Sequence, residues 1–213
     1  MGTIVDVFKD LAEITVTSRY ILVSIVVLAG LIAITKPKAK LSTKAIVYGG
    51  LCVSIAFVLS YIRLYRWPQG GSITLASMLP MFVYAYIFGP KAGIAAGTAY
   101  GLLQLIQDPY ILHPAQVLLD YFIAFAALGL AGFSPNNISL GILLGGFGRF
   151  FSSFLSGVIF FGSYAPEGMS PIIYSLGVNG LIIGTDAFIC FLVSLLPQVK
   201  GVIEQLKSGA HNQ

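Results

Sequence analysis

The chain of 213 residues is 57% hydrophobic and only 9% charged, with a formal net charge of +4 and a mean hydropathy of +0.89. Because soluble proteins average about 25% charged residues, this composition excludes a water-soluble domain. Continuous apolar runs exclude an alternating β-barrel pattern, and the lysines cluster at helix ends, which argues against a nucleic-acid partner. The sequence therefore predicts an all-α integral membrane protein.

About 20 apolar residues are needed for a helix to cross a bilayer. The apolar runs predict a six-helix core preceded by one extra N-terminal transmembrane helix. In chain order the predicted spans are 19–35, 45–62, 72–89, 92–106, 114–132, 139–161 and 172–196. We accordingly expect an N-terminal segment at 1–44, a six-helix membrane domain at 45–196 and a cytoplasmic tail at 197–213.

Basic residues predict the orientation of these spans, because cytoplasmic loops carry an excess of Lys and Arg. The connection KPKAKLSTK follows the first span and contains Lys36, Lys38, Lys40 and Lys44. This connection is therefore expected to be cytoplasmic. Alternation of the later spans then places the C-terminus in the cytoplasm as well.

Small residues spaced by four predict places where helix backbones approach closely. Gly93, Gly97 and Gly101 lie on one face of the predicted span 92–106, and we interpret that face as internal packing. Gly50 and Ser54 form a similar pair on the span 45–62. For this pair, contact with another subunit is the alternative interpretation.

Polar residues from three helices lie at one predicted depth. Counted from the outer helix ends at ~1.5 Å per residue, Asp120, Ser153 and Asn179 each lie ~10–12 Å below the surface. Aromatic residues surround this level, namely Trp67, Tyr110, Tyr121, Phe160, Phe161, Tyr164 and Tyr174. A carboxylate among aromatic rings suits a planar organic cation, because ring faces attract cations. The alternative for the rings is an interfacial aromatic belt.

A carboxylate in the membrane costs ~2.5–3.5 kcal/mol on insertion scales, so Asp120 requires a partner. Arg149 is one candidate. The predicted depths of Arg149 and Asp186 match each other better, however, and we expect these two residues to pair and leave Asp120 available for a ligand. Asp108 is expected to be solvated or to cap a helix.

Motifs for other chemistry do not occur in the sequence. It contains no Walker motif GxxxxGK[ST], no HExxH and no recognisable catalytic triad. We therefore expect neither an enzyme nor a site for a metal or a cofactor.

The core contains the segments WPQGGSITLASMLPMFVYAYIFGPKAGIAAG, HPAQVLLDYFIAFAALGLAG and SGVIFFGSYAPEGMSPIIYSLGVNG. These segments resemble the thiamine-specific S component, or substrate-binding subunit, of energy-coupling-factor (ECF) vitamin transporters. The resemblance covers about 45–196 and leaves residues 1–44 outside the usual six-helix pattern.

The resemblance implies a six-helix fold with an outward-facing pocket under the loop between the first two core helices. It places the pocket acid at Asp120 and the contact with a coupling subunit at Gly50 and Ser54. Members of the family have His where this chain has Ser153, and a hydroxyl group cannot stack or hold a charge as imidazole does. The predicted substrate-binding residues are Asp120, Tyr121, Phe161, Tyr174, Asn179, Tyr110, Ser153 and Trp67.

The expected function is that of the substrate-binding subunit of an ECF importer in a bacterial cell membrane. It would bind thiamine for ATP-driven uptake together with a transmembrane coupling subunit and two ATPase subunits. The alternatives are a binder of a different thiamine-related compound or vitamin, a membrane scaffold without a transport role, and an intramembrane enzyme.

Overall fold

The computed structural model of the protein describes residues 41–211. The predicted span 19–35 lies outside the described residues, and the boundaries drawn at 44/45 and 196/197 stay predictions. The fold is mostly helical. Its elements are α1 (Thr43–Leu59), β1 (Arg63–Arg66), β2 (Ser72–Thr74), α2 (Leu79–Gln107), α3 (Pro114–Phe133), α4 (Ile138–Phe160), α5 (Pro171–Leu195) and α6 (Pro197–His211).

Helices α3, α4 and α5 are the described helices that are long and apolar enough to cross a membrane. Helix α1 is apolar but has 17 residues, and α2 is interrupted. These helices confirm the integral membrane class. The count of six core spans plus one N-terminal span stays a prediction.

Helix α2 combines the predicted spans 72–89 and 92–106 across a sharp break. Gly89 has φ 84° and ψ 173°, a conformation that glycine adopts without steric cost. Pro90 follows it and has no N–H to continue the first helical segment. The first of these two spans begins later than predicted, because its first residues form β2 rather than a helical turn.

The connection between α1 and α2 is a two-stranded antiparallel hairpin, for which the sequence predicted only a loop. Strands β1 and β2 pair Arg63 with Thr74 and Arg66 with Ser72. The connecting turn closes through a 2.9 Å hydrogen bond from the amide of Trp67 to a glycine carbonyl. The all-α description therefore needs this one addition in the part of the chain that the structure describes.

The predicted glycine face of α2 packs directly on α3. A Cβ atom added at Gly97 would lie 2.2 Å from the carbonyl oxygen of Phe125, and one added at Gly101 would lie 2.0 Å from that of Tyr121. These are backbone atoms that cannot rotate away. The interpretation of this face as internal packing is confirmed, and the contact sets how closely α3 approaches α2.

The predicted tail forms the amphipathic helix α6, which packs on the end of the bundle opposite the hairpin. Ile203 is buried in the hydrophobic core. The ammonium of Lys207 lies 4.3 Å above the ring of Tyr86 and also donates a hydrogen bond to the carbonyl of Pro135. A polar stretch in the sequence thus contributes an ordered surface to the fold.

We predict that Gly97→Ala destabilises the protein by ~1–3 kcal/mol, the usual cost of overpacking, because the new methyl group meets the backbone of α3. The thermal unfolding midpoint in detergent measures this effect. Gly177→Ala on α5 is the control, since nothing lies within 4 Å of its Cβ position. Equal midpoints for the two variants would mean that the α2–α3 contact adjusts freely.

Candidate functional site

A cavity of about 150 Å³ lies between the hairpin, α2, α3, α4 and α5. It brings together all eight residues that the sequence analysis selected from separate parts of the chain. These residues are Trp67, Tyr110, Asp120, Tyr121, Ser153, Phe161, Tyr174 and Asn179. Their grouping agrees with the predicted pocket, whereas their contact with a ligand stays a prediction.

Asp120 lies in a wide π-helical turn of α3 at Leu118–Ile123. Such turns are frequent at functional sites. Its Oδ2 atom accepts hydrogen bonds from Gln116 Nε2 at 2.7 Å and from Ser156 Oγ at 2.8 Å. Within residues 41–211 no side chain or amide donates to Oδ1. The carboxylate is therefore held through one oxygen, and the other is available to a ligand.

The expected ion pair between Arg149 and Asp186 does not form a direct contact, since the salt bridges found among residues 41–211 join Asp108 to Arg63 and Arg66. Asp186 is 2% exposed and accepts a 2.9 Å hydrogen bond from the hydroxyl of Thr74 at the end of β2. The guanidinium of Arg149 lies 4.3 Å from the ring centroid of Phe125. The two side chains match in depth along their helices, but a strand that the sequence did not predict supplies the partner of Asp186.

An aromatic wall forms one side of the cavity. The rings of Tyr110 and Phe161 are stacked with centroids 5.7 Å apart, and Tyr164 lies 6.0 Å from Phe161. The hydroxyl groups of Tyr110 and Tyr164 are 3.0 Å apart. This hydrogen bond raises the pKa of Tyr110 above its ordinary value.

The α4 and α5 helices contact each other closely beside the cavity. The Ser175 hydroxyl on α5 donates to the Phe154 carbonyl on α4 at 2.7 Å, and within α5 the side-chain amide of Asn179 donates to the Ser175 carbonyl at 3.1 Å. A Cβ atom added at Gly157 would lie 2.1 Å from Ser175 Oγ. Only glycine allows this approach, which brings Asn179 on α5 to the same cavity as Ser153 on α4.

Asp108 is a cavity residue whose role the sequence analysis missed. It caps the C-terminal end of α2, in agreement with one of the two expected alternatives. Its carboxylate also pairs with Arg63 at 2.9 Å and with Arg66 at 2.7 Å. Tyr121 Oη accepts from the Tyr110 amide and donates to the Asp108 carbonyl, both at 2.9 Å. The available signal was charge, since two arginines and one aspartate lie at the same predicted membrane face.

Trp67 belongs to the hairpin and lines the cavity beside α5. Its indole Nε1 is buried and has no hydrogen-bond partner within the described residues. Buried polar groups are normally paired. The indole N–H is therefore an unpaired donor with almost no accessible surface, whereas other atoms of Trp67 line the cavity.

Gly50 and Ser54 lie away from the cavity, on an exposed face of α1. Nothing in the described part of the chain lies within 4 Å of a Cβ atom added at Gly50. The Ser54 hydroxyl donates to the Gly50 carbonyl at 2.8 Å. In contrast to Gly97, this pair does not serve packing among residues 41–211.

A family profile described as thiamine transporter protein matches residues 46–204. The thiamine transporter ThiT of Bacillus subtilis is 34% identical over 146 residues, which cover 61% of this chain and 76% of that relative. A thiamine transporter ThiT from Lacticaseibacillus paracasei is 33% identical over 123 residues, or 48% of this chain and 61% of that relative.

A solved structure of ThiT from Listeria monocytogenes is similar to most of this chain. It superposes with a TM-score of 0.67 at 25% sequence identity and covers 75% of this chain and 96% of the solved chain. The comparisons confirm the resemblance that the sequence segments indicated.

We predict that Asp108→Asn loosens the hairpin. Losing two partly exposed ion pairs, each worth up to ~1 kcal/mol, should lower the free energy of hairpin opening by ~1 kcal/mol. Amide hydrogen exchange at residues 63–75 measures this opening. The exposed Glu167 provides the control variant Glu167→Gln. Unchanged exchange in Asp108→Asn would show that backbone pairing alone holds the hairpin.

Proposed function

The chain belongs to the thiamine transporter protein family, and on this premise we propose that it binds thiamine in the cavity beneath the hairpin. We further propose that this cavity faces outward and that the protein is the substrate-binding subunit of an ECF-type importer. The named relatives are transporters rather than enzymes, in agreement with the function expected from the sequence.

The contacts of Asp120 are the observation that carries the proposal. Two donors hold Oδ2, while Oδ1 has no donor within the described residues. Thiamine carries a cationic thiazolium and an aminopyrimidine. Its amino group suits a carboxylate acceptor, and its cationic ring suits aromatic faces such as those of Phe161 and Tyr110.

Two further cavity residues offer contacts to the ligand under this proposal. Trp67 lines the cavity, and Asn179 keeps its side-chain oxygen as an acceptor because only its nitrogen takes part in the contacts with Ser175. Trp67 also offers a ring face from the hairpin side. A flat heteroaromatic ligand can use both kinds of contact.

Ser153 favours a second candidate, a different thiamine-related compound or vitamin. This serine lines the cavity where related proteins are expected to carry His. The hydroxyl leaves more space and no ring to stack on the ligand. A panel of thiamine and its analogues, titrated against the purified protein, separates these two candidates through the rank of their affinities.

Uptake requires partners under this proposal. The sequence has no Walker motif, so two ATPase subunits would supply ATP hydrolysis, and a transmembrane coupling subunit would dock on α1. An exposed and mostly apolar face supports this docking site. Its residues are Ile46, Val47, Gly50, Leu51, Ser54, Ile55 and Val58. The predicted cytoplasmic C-terminus belongs to the same proposal.

We predict that Asp120→Asn weakens thiamine binding by ~1.5–3 kcal/mol, the scale of a hydrogen bond to a charged group. The substitution keeps the size of the side chain and removes its charge. Fluorescence titration of the purified protein with thiamine measures the effect, since Trp67 lines the cavity.

Glu204→Gln is the control, because this carboxylate is exposed on α6 and its charge is removed in the same way. It should bind thiamine as the unmodified protein does. A folded Asp120→Asn protein with unchanged thiamine affinity would contradict the proposed role of the acid. Absence of thiamine binding in the unmodified protein would leave the scaffold alternative.

We predict that Gly50→Leu combined with Ser54→Leu abolishes ATP-driven thiamine uptake and leaves thiamine binding intact. Without a hydrophobic force between helices in a membrane, association depends on close packing, and the two leucines hold a partner helix away. Uptake by cells, capture of the coupling subunit and thiamine titration are measured together.

The control places leucines at Gly177 and Gly184, whose Cβ positions are also open but lie on α5. Normal uptake in this control excludes a general effect of added bulk. If the Gly50 and Ser54 variant transports normally, the docking assignment is wrong. If it loses thiamine binding, the pair supports the fold instead.

A further inference from the structure

Gln116 is a buried polar residue that the proposed ligand contacts do not use. It lies on α3 four residues before Asp120 and is 1% exposed. Its Nε2 atom donates to Asp120 Oδ2 at 2.7 Å, and its Oε1 atom accepts from the Leu112 amide at 3.2 Å. One carboxamide thus joins the acid to the loop that precedes α3.

A second donor reaches the same oxygen from another helix. Ser156 on α4 is fully buried, and its hydroxyl donates to Asp120 Oδ2 at 2.8 Å. Because both donors point at Oδ2, rotation of the carboxylate would break two charge-assisted hydrogen bonds. The orientation of Oδ1 is therefore set by groups that bond to the other oxygen of the same carboxylate.

We infer that Gln116 is a positioning residue: it fixes the orientation of the Asp120 carboxylate, with Oδ1 facing the cavity, and connects Oδ2 to the loop that precedes α3. The inference rests on the proposed function, in which Asp120 contacts the ligand. Gln116 contributes through Asp120, and its removal weakens binding without removing a direct ligand contact.

The hydrogen bond between Gln116 and the loop before α3 has a counterpart on the same helix. Tyr121 accepts from the Tyr110 amide and donates to the Asp108 carbonyl, while Gln116 holds the Leu112 amide. Two side chains of α3 thereby hold both ends of the short connection between α2 and α3. The acid and the aromatic wall keep one relative position.

Glutamine suits this position because it offers a donor and an acceptor together. Gln116→Glu keeps the acceptor for Leu112 and replaces the donor by a second carboxylate next to Asp120. Like charges at this distance repel unless they share a proton. Other charged and titratable groups around the pair are Arg149 on α4, Tyr121 on α3 and Asp108 on the loop.

The first test compares Gln116→Glu with the unmodified protein by thiamine titration at about pH 8 and about pH 5.5, on either side of neutral. We expect affinity at least about tenfold weaker at the higher pH, with most of the loss recovered at the lower pH as a shared proton restores the donor. Gln104→Glu is the control, since Gln104 also lines the cavity but bonds to Ser60 and Gln107. It should show no such recovery.

The second test is a double-mutant cycle with Gln116→Leu and Asp120→Asn. If Gln116 acts through Asp120, the double variant binds thiamine about as well as Asp120→Asn alone. If Gln116 only supports the fold, the two fold-changes multiply, and that result overturns the inference. If Gln116→Leu does not fold, the pH-dependent titrations of the near-isosteric Gln116→Glu variant decide whether Gln116 acts through Asp120.

The outcomes separate this inference from the proposed function. A loss of binding in Asp120→Asn together with multiplying effects, or with no pH-dependent recovery in Gln116→Glu, overturns the role of Gln116 alone. Unchanged binding in Asp120→Asn overturns the assignment of the acid, and the positioning role with it.

Discussion

A carboxylate buried within a membrane protein must receive its hydrogen bonds from the protein, because lipid offers none. Asp120 meets this constraint through Gln116 on its own helix and Ser156 on α4. Asp186 meets it through Thr74 of the hairpin. Each acid thus connects two separate elements of the fold. The cavity lies beside these connections, and both acids line it together with their donors Gln116 and Thr74.

This arrangement depends on how closely the helices approach each other. Gly97 and Gly101 let α2 contact the backbone of α3 directly, at and just beyond the wide turn that holds Asp120. Gly157 lets α4 approach the Ser175 side chain of α5. Larger side chains at Gly97 and Gly101 would push α3 away from α2, because the obstructing atoms belong to the backbone. Close helix packing and a buried acid thus meet at the same turn of α3.

The hairpin and the loop before α3 complete the site from one end of the bundle. Asp108 joins them through its ion pairs with Arg63 and Arg66, while Tyr121 on α3 forms hydrogen bonds with the backbone of the loop. The aromatic wall includes a residue of this loop, because Tyr110 belongs to the loop and stacks on Phe161, which follows α4. A ligand in the cavity would thus contact parts of the chain whose positions depend on one another.

The sequence by itself determined the membrane class, the helical content and the glycine face of α2, because these follow from composition and helical period, which are local properties of the chain. The eight residues that meet at the cavity were selected from predicted depth together with the resemblance to a known family. Tertiary structure alone decided the pairing of Asp186 with Thr74, the ion pairs of Asp108 and the orientation of Asp120. Depth along a helix predicts which residues lie at the same level. The direction of each side chain and the path of the connecting segments then determine which residues form hydrogen bonds or ion pairs with each other. The hairpin, which contacts α5 and the loop before α3, is such a connecting segment and was not predicted.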